Sequence, residues 1–269
     1  MSDSYFQRAG VRATHLKALR QSPLHYRFAV DNPQAGRTAS RTALQANHCA
    51  ILEPERFATD YAAWTGKVRR GKAWDAWQQD NPGVTGLSMA EHSTAVAIAQ
   101  AVHQHPAAGP IVLEAQHIEH AHQWTDHRTG LQCLMRADLI RSTSGGRMLL
   151  GDVKAVASAD VKAVTSQCYR LGWDIQMAHY LAGVRDEFGP HVDISVALIC
   201  VESAAPYDVS VIYLSREVID CAAAERRRLM DTVKRCTESG EWPGRPTSPE
   251  VMDLPPWLEP ELVDSREES

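Results

Sequence analysis

Two carboxylates and a lysine raise the first chemical question. Residues 147–158 read RMLLGDVKAVAS, an apolar run that stops at Gly151 and continues as Asp152-Val153-Lys154. Side chains two apart on a strand share a face, so Asp152 and Lys154 project together while Val153 turns into the core. Asp138, in Arg136-Ala137-Asp138, stands near the end of the preceding strand, and pairing of the two strands brings it to the same sheet edge. Carboxylates that converge in this way can hold a hard divalent cation through oxygen and leave positions open for water. Such a cation polarises a phosphoryl oxygen and lowers the pKa of an attacking water. A nearby lysine can orient that water or balance charge developing at phosphorus. Taken alone the triplet is weak, because Asp-x-Lys is common at solvated strand ends as a plain ion pair.

Other clusters offer different chemistry. His117, His120, His122 and His127 lie close together. On a regular strand, however, His120 and His122 share one face while His117 and Glu119 share the other, which splits a zinc site and favours a solvent-facing hairpin. Lys67, Arg69, Arg70 and Lys72 form the densest basic run, with Trp64, Trp74 and Trp77 nearby. That segment either grips a nucleic-acid backbone and stacks a base or is a solvated helix end whose tryptophans pack inward. Arg226-Arg227-Arg228 reads as a solvated helix face. The six cysteines are scattered without a CxxC pair, as expected of buried reduced thiols rather than a disulfide framework or a metal centre.

The elements that must position these groups follow from periodicity. Ala13–Arg27 is helical with a break at Pro23, and residues 38–53 form a second helix limited by Pro54. In that second helix Leu44, His48 and Ile51 share a face, so His48 points inward, as many core histidines do. Residues 88–104 read as an amphipathic helix with a Ser88…Glu91 capping box. The period then changes: 117–140 gives two strands about a turn at 127–130, and a second turn at 142–146 leads into the Asp152 strand, an antiparallel meander. Residues 160–188 are helical, with an apolar stripe of Trp173, Met177, Leu181, Val184 and Phe188. Gln176 and Tyr180 are i, i+4 neighbours at its edge, either facing a cleft or forming a local pair. Residues 192–202 and 207–214 read as two paired strands, 216–237 as a closing helix, and the tail 264–269 as frayed.

The fold class is therefore α/β, a small mixed sheet with helices on both sides. A single domain is expected, with a mainly helical part over 1–110, a core over 111–245 and a tail over 246–269. A chain of 269 residues is ample for one such core. Its net charge of −5 argues against coating nucleic acid through bulk charge, although one local basic groove remains compatible with it. With no membrane-length apolar run and no signal-type segment, a cytoplasmic protein is expected.

A family resemblance covers most of the chain. Asp138…Asp152-Val153-Lys154 resembles the PD-(D/E)xK nuclease signature, and Gln176-Met177-Ala178-His179-Tyr180 resembles the QxxxY helix of its RecB and RecE-like branches. Ser22-Pro23-Leu24-His25-Tyr26-Arg27, the stretch from His48 through Leu52-Glu53-Pro54-Glu55-Arg56-Phe57, RRGKAW at 69–74, Trp124-Thr125-Asp126…Thr129-Gly130-Leu131 and Glu241-Trp242-Pro243 resemble segments of RecE-like (exonuclease VIII-type) phage and prophage exonucleases. The resemblance implies that His48, Asp138, Asp152 and the Val153 carbonyl hold Mg²⁺, for which Mn²⁺ would substitute. It implies that Lys154 is the catalytic lysine, that Gln176 and Tyr180 line the site, and that Glu119 matches an acidic position on the first meander strand. Double-stranded DNA ends, 5′-to-3′ digestion, a RecT-like annealing partner and a ring-shaped homo-oligomer are the corresponding expectations. Two departures stand out: Ala137 where the family often has proline, and Ala155-Val156 where it often has threonines. RecB-type and CRISPR-adaptation nucleases, or a non-catalytic DNA-binding module, are the alternatives. The first two often carry a four-cysteine iron–sulfur cluster, which the dispersed cysteines fit poorly.

Overall fold

A computed structural model describes residues 8–33 and 39–254, so the predicted frayed tail at 264–269 lies outside the described residues. Its centre is the strand that carries Asp152. β5 (Met148–Val156) is buried over most of its length. A strand covered on both faces must be apolar on both, which is why MLLGDVKAV shows no clean alternation. β5 is the middle strand of a five-stranded sheet of order β3-β4-β5-β6-β7, with β3 at His117–Thr125, β4 at Gln132–Ser142, β6 at Ile194–Glu202 and β7 at Val209–Tyr213. β3, β4 and β5 form the expected antiparallel meander, β6 joins β5 in parallel, and β7 pairs with β6 antiparallel.

A parallel join needs a crossover, supplied here by α8 (Val161–Leu171) and α9 (Trp173–Phe188). The single helical stretch expected over 160–188 is thus two helices. They divide at Gly172, whose left-handed φ of 68° ends α8, a conformation glycine adopts without Cβ strain. One face of the sheet packs against α8, α9, α10 (Arg216–Ser239), α1 (Ala13–Leu19) and α2 (Pro23–Asp31), burying Leu150, Val156, Val196 and Leu198. The other face packs against α3 (Ala39–Leu52), α4 (Pro54–Asp60), α6 (Met89–Gln104) and α7 (Ala108–Leu113), burying Leu149, Val153, Ile199 and Val201.

Several quoted segments turn out to be fold devices. Ser22 caps α2, its Oγ accepting from the His25 N–H at 3.3 Å, with Pro23 at the first helical position. Trp242 returns to stack on buried Tyr26, ring centroids 5.1 Å apart. The Ser88–Glu91 capping box at the start of α6 is present in both directions. Residues 61–88 hold an unexpected unit, β1 (Tyr61–Trp64), α5 (Lys72–Asp80) and β2 (Thr85–Ser88), the two strands pairing in parallel. Four-residue strands are too short to show a period. The tryptophans pack on one another, Trp74 and Trp77 stacking at 5.0 Å with Trp64 edge-on, and all three stay half-buried outside the two core clusters.

Arg226 departs from the solvated face expected of 226–228. It is buried, donating from Nη2 to Asp126 Oδ2 at 3.1 Å and from Nε to His179 Nδ1 at 3.2 Å, while Arg227 and Arg228 are exposed. The i, i+3, i+4 geometry of α10 carries one residue of the run inward along the helix's apolar side. His179 donates from Nε2 to the Leu134 carbonyl at 3.1 Å, and because its Nδ1 accepts from Arg226 the ring is neutral. Burial, then the Arg226 charge, lowers its pKa to about 3, and burial, then Arg12, lowers His15 to about 4. Unfolding restores both to about 6.5. The stability due to the neutral rings is therefore complete above pH 6.5 and is lost as pH falls toward 4 and then 3, by up to about 1.4 kcal/mol per pH unit per group. Urea melts between pH 7 and 5 should show this slope, and His15→Asn/His179→Asn should flatten it. A wild-type midpoint that does not move over that range would exclude neutral buried histidines.

Candidate active site

The site begins where a ladder stops. β4 and β5 pair from Ser142–Met148 to Leu139–Gly151, and beyond that level they part. Asp138 and Asp152 are the first residues past the split. The Val153 N–H donates to Asp138 Oδ2 at 2.8 Å, so a side chain takes the place of a ladder bond. The N–H and C=O of one strand residue point to the same side, so the Val153 carbonyl faces the same opening.

β3 is distorted at the same level. Ile118 pairs with Leu139 and His120 with Ala137, and Glu119 between them has φ of 50°. A positive φ is unfavourable for any residue with a Cβ, and it breaks the alternation of a strand. This corrects the face assignment expected for the histidines: His117 lies against His120, centroids 4.7 Å apart, and Glu119 turns to the site. His120 and His122 pair instead with Glu187 and Asp186 of α9, at 2.8 and 2.9 Å.

His48 leans over the opening from α3. Its Nε2 is 2.8 Å from Asp138 Oδ2 and its Nδ1 is 3.1 Å from Glu119 Oε1, while Arg136 Nε holds Glu119 Oε2 at 2.7 Å. The donor atoms of His48, Glu119 and Asp138 all lie within 4.8 Å of one another. Burial alone would lower the His48 pKa, but Asp138 and then Glu119 outweigh it and raise it to about 10. For Asp138 burial raises, and the His48 charge and hydrogen bond, Lys154 and the Val153 N–H together hold the carboxyl below its ordinary range. An imidazole set between two carboxylates is a mixed nitrogen–oxygen donor set that suits a divalent cation.

Asp152 sits deeper. It is fully buried, its Oδ1 accepting from Gln176 Nε2 at 2.6 Å and its Oδ2 in ionic contact with Lys154 Nζ. Burial and then the Asp138 charge raise its pKa, Lys154 opposing. The resemblance implies His48, Asp138 and Asp152 as one ligand group. The structure gathers Glu119 with the first two and holds Asp152 beside Lys154 on the α9 side of β5. Burial disfavours the Lys154 cation, yet Asp152 and Asp138 outweigh that and raise its pKa. Gln176, placed at an edge by its spacing, is buried, and Tyr180 follows one turn later, half-buried at the rim of the core.

Lys17 of α1 is an unforeseen neighbour, donating to Gln176 Oε1 at 2.5 Å. Nothing in Leu16-Lys17-Ala18-Leu19 distinguishes it from a surface lysine. A cleft of about 230 Å³ lined by Leu44, Asn47, His48 and Lys154 reaches this centre. The basic run lies on the β1–α5 connection and the first residue of α5: Lys67, Arg70 and Lys72 are exposed, and Arg69 is bound to Glu91. All six cysteines are free, and Cys221 is exposed while the others are buried. Among the described residues no helix is long and apolar enough to cross a membrane.

Comparison with known proteins places this geometry. No curated protein matches the sequence. Among solved structures, one titled "Putative exonuclease" from Eubacterium rectale matches with a TM-score of 0.61 over 95% of this chain and 95% of that one, at 13% identity. That is a likeness of fold. The family model described as "PDDEXK-like domain of unknown function (DUF3799)" matches residues 13–255, which takes in every residue of the split-strand centre. With Asp138, Asp152 and Lys154 where β4 and β5 diverge, the chain belongs to this family of PD-(D/E)xK-like domains.

Proposed function

We propose that the protein is a metal-dependent deoxyribonuclease that digests linear double-stranded DNA from its ends, 5′ to 3′. The observation that carries this reading is the divergence of β4 and β5, which leaves Asp138, Asp152 and Lys154 together beside a cleft lined by His48, Val153 and Lys154. His48, Glu119 and Asp138 would hold the cation, with the Val153 carbonyl on the same side. A bound divalent ion would supply Lewis-acid polarisation of the phosphate and a more acidic water. Lys154, kept protonated by its two carboxylate neighbours, balances negative charge developing at the phosphorus centre. Gln176 orients Asp152 and Lys154 at once, since its amide donates to one and accepts from the other. Mg²⁺ is the expected ion, and the imidazole in the donor set makes Mn²⁺ an effective substitute.

The likeness to a protein described as an exonuclease supports exonuclease activity, and the sequence resemblance supplies the polarity. Exposed Lys67, Arg70 and Lys72 would contact the DNA backbone. A single-strand annealing partner and a closed homo-oligomer belong to the same reading. The test is digestion of linear duplex DNA labelled at either 5′ or 3′ ends, with Mg²⁺, Mn²⁺ or EDTA. Metal-dependent loss of the 5′ label first is expected. Digestion in EDTA would sink the metal site, and initial loss of the 3′ label would overturn the polarity alone.

A further inference from the structure

Lys17 is a second ammonium at the centre, contributed by a helix that carries none of the motif residues. Its Nζ lies 2.5 Å from Gln176 Oε1, and Lys154 Nζ reaches the same oxygen at 3.3 Å. An amide has two faces of opposite character, donors on nitrogen and lone pairs on oxygen. Two ammonium groups at one end allow only the oxygen there, so Nε2 must face Asp152 Oδ1, as it does at 2.6 Å.

The placement of Lys17 is built in. One turn along α1, Arg20 donates from Nη2 to buried Asp174 at 2.9 Å and from Nε to Glu225 at 2.7 Å, tying α1 to α9 and α10. Gly172 allows the approach: a Cβ there would meet Lys17 Cγ at 3.0 Å and Arg20 Nη1 at 3.2 Å. Burial and then the neighbouring Lys154 charge lower the Lys17 pKa to about 8, as expected for a lysine drawn into a crowded cationic site. A surface lysine would not accept that environment.

From this geometry we infer that Lys17 is a positioning residue of the active centre, locking the Gln176 amide so that it holds Asp152 and Lys154 in register. The inference rests on the nuclease reading for its kinetic consequence and on the contacts alone for its structural one. Lys17 acts through Gln176 and does not touch the position of the cation.

The full-length protein is tested as wild type, Lys17→Met, Lys17→Arg, Gln176→Ala and Lys17→Met/Gln176→Ala. Under single-turnover conditions on linear duplex DNA with Mg²⁺, Lys17→Met is expected to lower the cleavage rate about 10–100-fold with the DNA concentration for half-maximal rate unchanged. Lys17→Arg should recover part of it. The double variant should be no slower than Gln176→Ala, because the two residues act in one chain. A rate loss that multiplies in the double variant, or a change confined to DNA affinity, would overturn the inference. An independent readout is the Gln176 side-chain amide signal in ¹⁵N NMR, expected to shift and to exchange faster in Lys17→Met, while the thermal midpoint reports any general loss of fold. If wild-type protein cuts no DNA, the nuclease reading fails, and the amide signal then decides the positioning role by itself. A signal unmoved by Lys17→Met removes that role.

Discussion

Asp138→Asn should leave the fold standing and lower DNA hydrolysis by about three orders of magnitude or more, a barrier change of about 4 kcal/mol. The substitution keeps shape and one acceptor, so the Val153 N–H now 2.8 Å from Oδ2 can still be satisfied. What it removes is the anionic charge that the opening between β4 and β5 is built around. Without it His48 loses its nearer carboxylate, at 2.8 Å, and keeps only Glu119 at 3.1 Å. A hard cation loses one of its two carboxylate donors in that cluster. Single-turnover cleavage with Mg²⁺, calorimetric titration with Mn²⁺ and a thermal melt separate the effects. Activity within tenfold of wild type, or unchanged Mn²⁺ affinity, would take Asp138 out of the ligand set. Glu119→Gln is the informative companion, because the RecE-like resemblance assigns the cation to His48, Asp138, Asp152 and the Val153 carbonyl. The observed cluster predicts a comparable loss of metal affinity for Glu119→Gln.

The contrast between Glu119 and Asp152 shows what a linear pattern can carry. Asp138, Asp152 and Lys154 are separated by short stretches within one meander, and strand periodicity is enough to bring them together. Helical periodicity in α9 shows that Gln176 and Tyr180 are neighbours one turn apart, and the resemblance is what assigns them to the site. Glu119 was hidden from periodicity, although the resemblance marked its acidic position: a regular strand puts it beside His117, and only a φ of 50° turns it to His48. Lys17 was hidden for another reason. Its role depends on how α1 docks against α9, and that docking is set by Arg20, Asp174 and Glu225, three residues distant in sequence. His48 lay between these cases. Its helix face was legible, but its partners belong to the β3–β4 pair, so only the resemblance could name it as a ligand. The fold was plainer because its signals are local, with turns at 127–130 and 142–146 and the apolar run Met148-Leu149-Leu150 that opens β5. The β1–α5–β2 unit escaped because its strands are four residues long and its basic and aromatic residues fit either of two surroundings.

The largest stability effect is expected away from the cleft, in Arg226→Met, with a loss of about 3–5 kcal/mol. The methionine keeps much of the apolar stem but leaves buried His179 and half-buried Asp126 without a donor. Asp126 loses the guanidinium at 3.1 Å, and His179 Nδ1 loses the Nε donor at 3.2 Å. Asp126 cannot swing away to water, because its other oxygen accepts from the Thr129 N–H at 3.1 Å and from Thr129 Oγ1 at 2.9 Å, closing the β3–β4 turn. Burial raises the Asp126 pKa, and the Thr129 hydroxyl and the Arg226 charge together outweigh it. With Arg226 gone, the carboxylate must remain charged and unpaired or take up a proton. Two consequences follow for the double variant Arg226→Met/Asp126→Asn. It should be more stable than Arg226→Met alone, because the stranded charge has been removed, and the two losses should be clearly non-additive. Urea denaturation of the four proteins measures both. Arg227→Met and Arg228→Met, one and two residues on, should change stability by no more than about 0.5 kcal/mol, as surface substitutions do. A loss at Arg226 as small as theirs would mean that the whole run is the solvated face its composition suggests. A large loss ties α10 to the β3–β4 turn and, through His179, to the same α9 that carries Gln176 into the site.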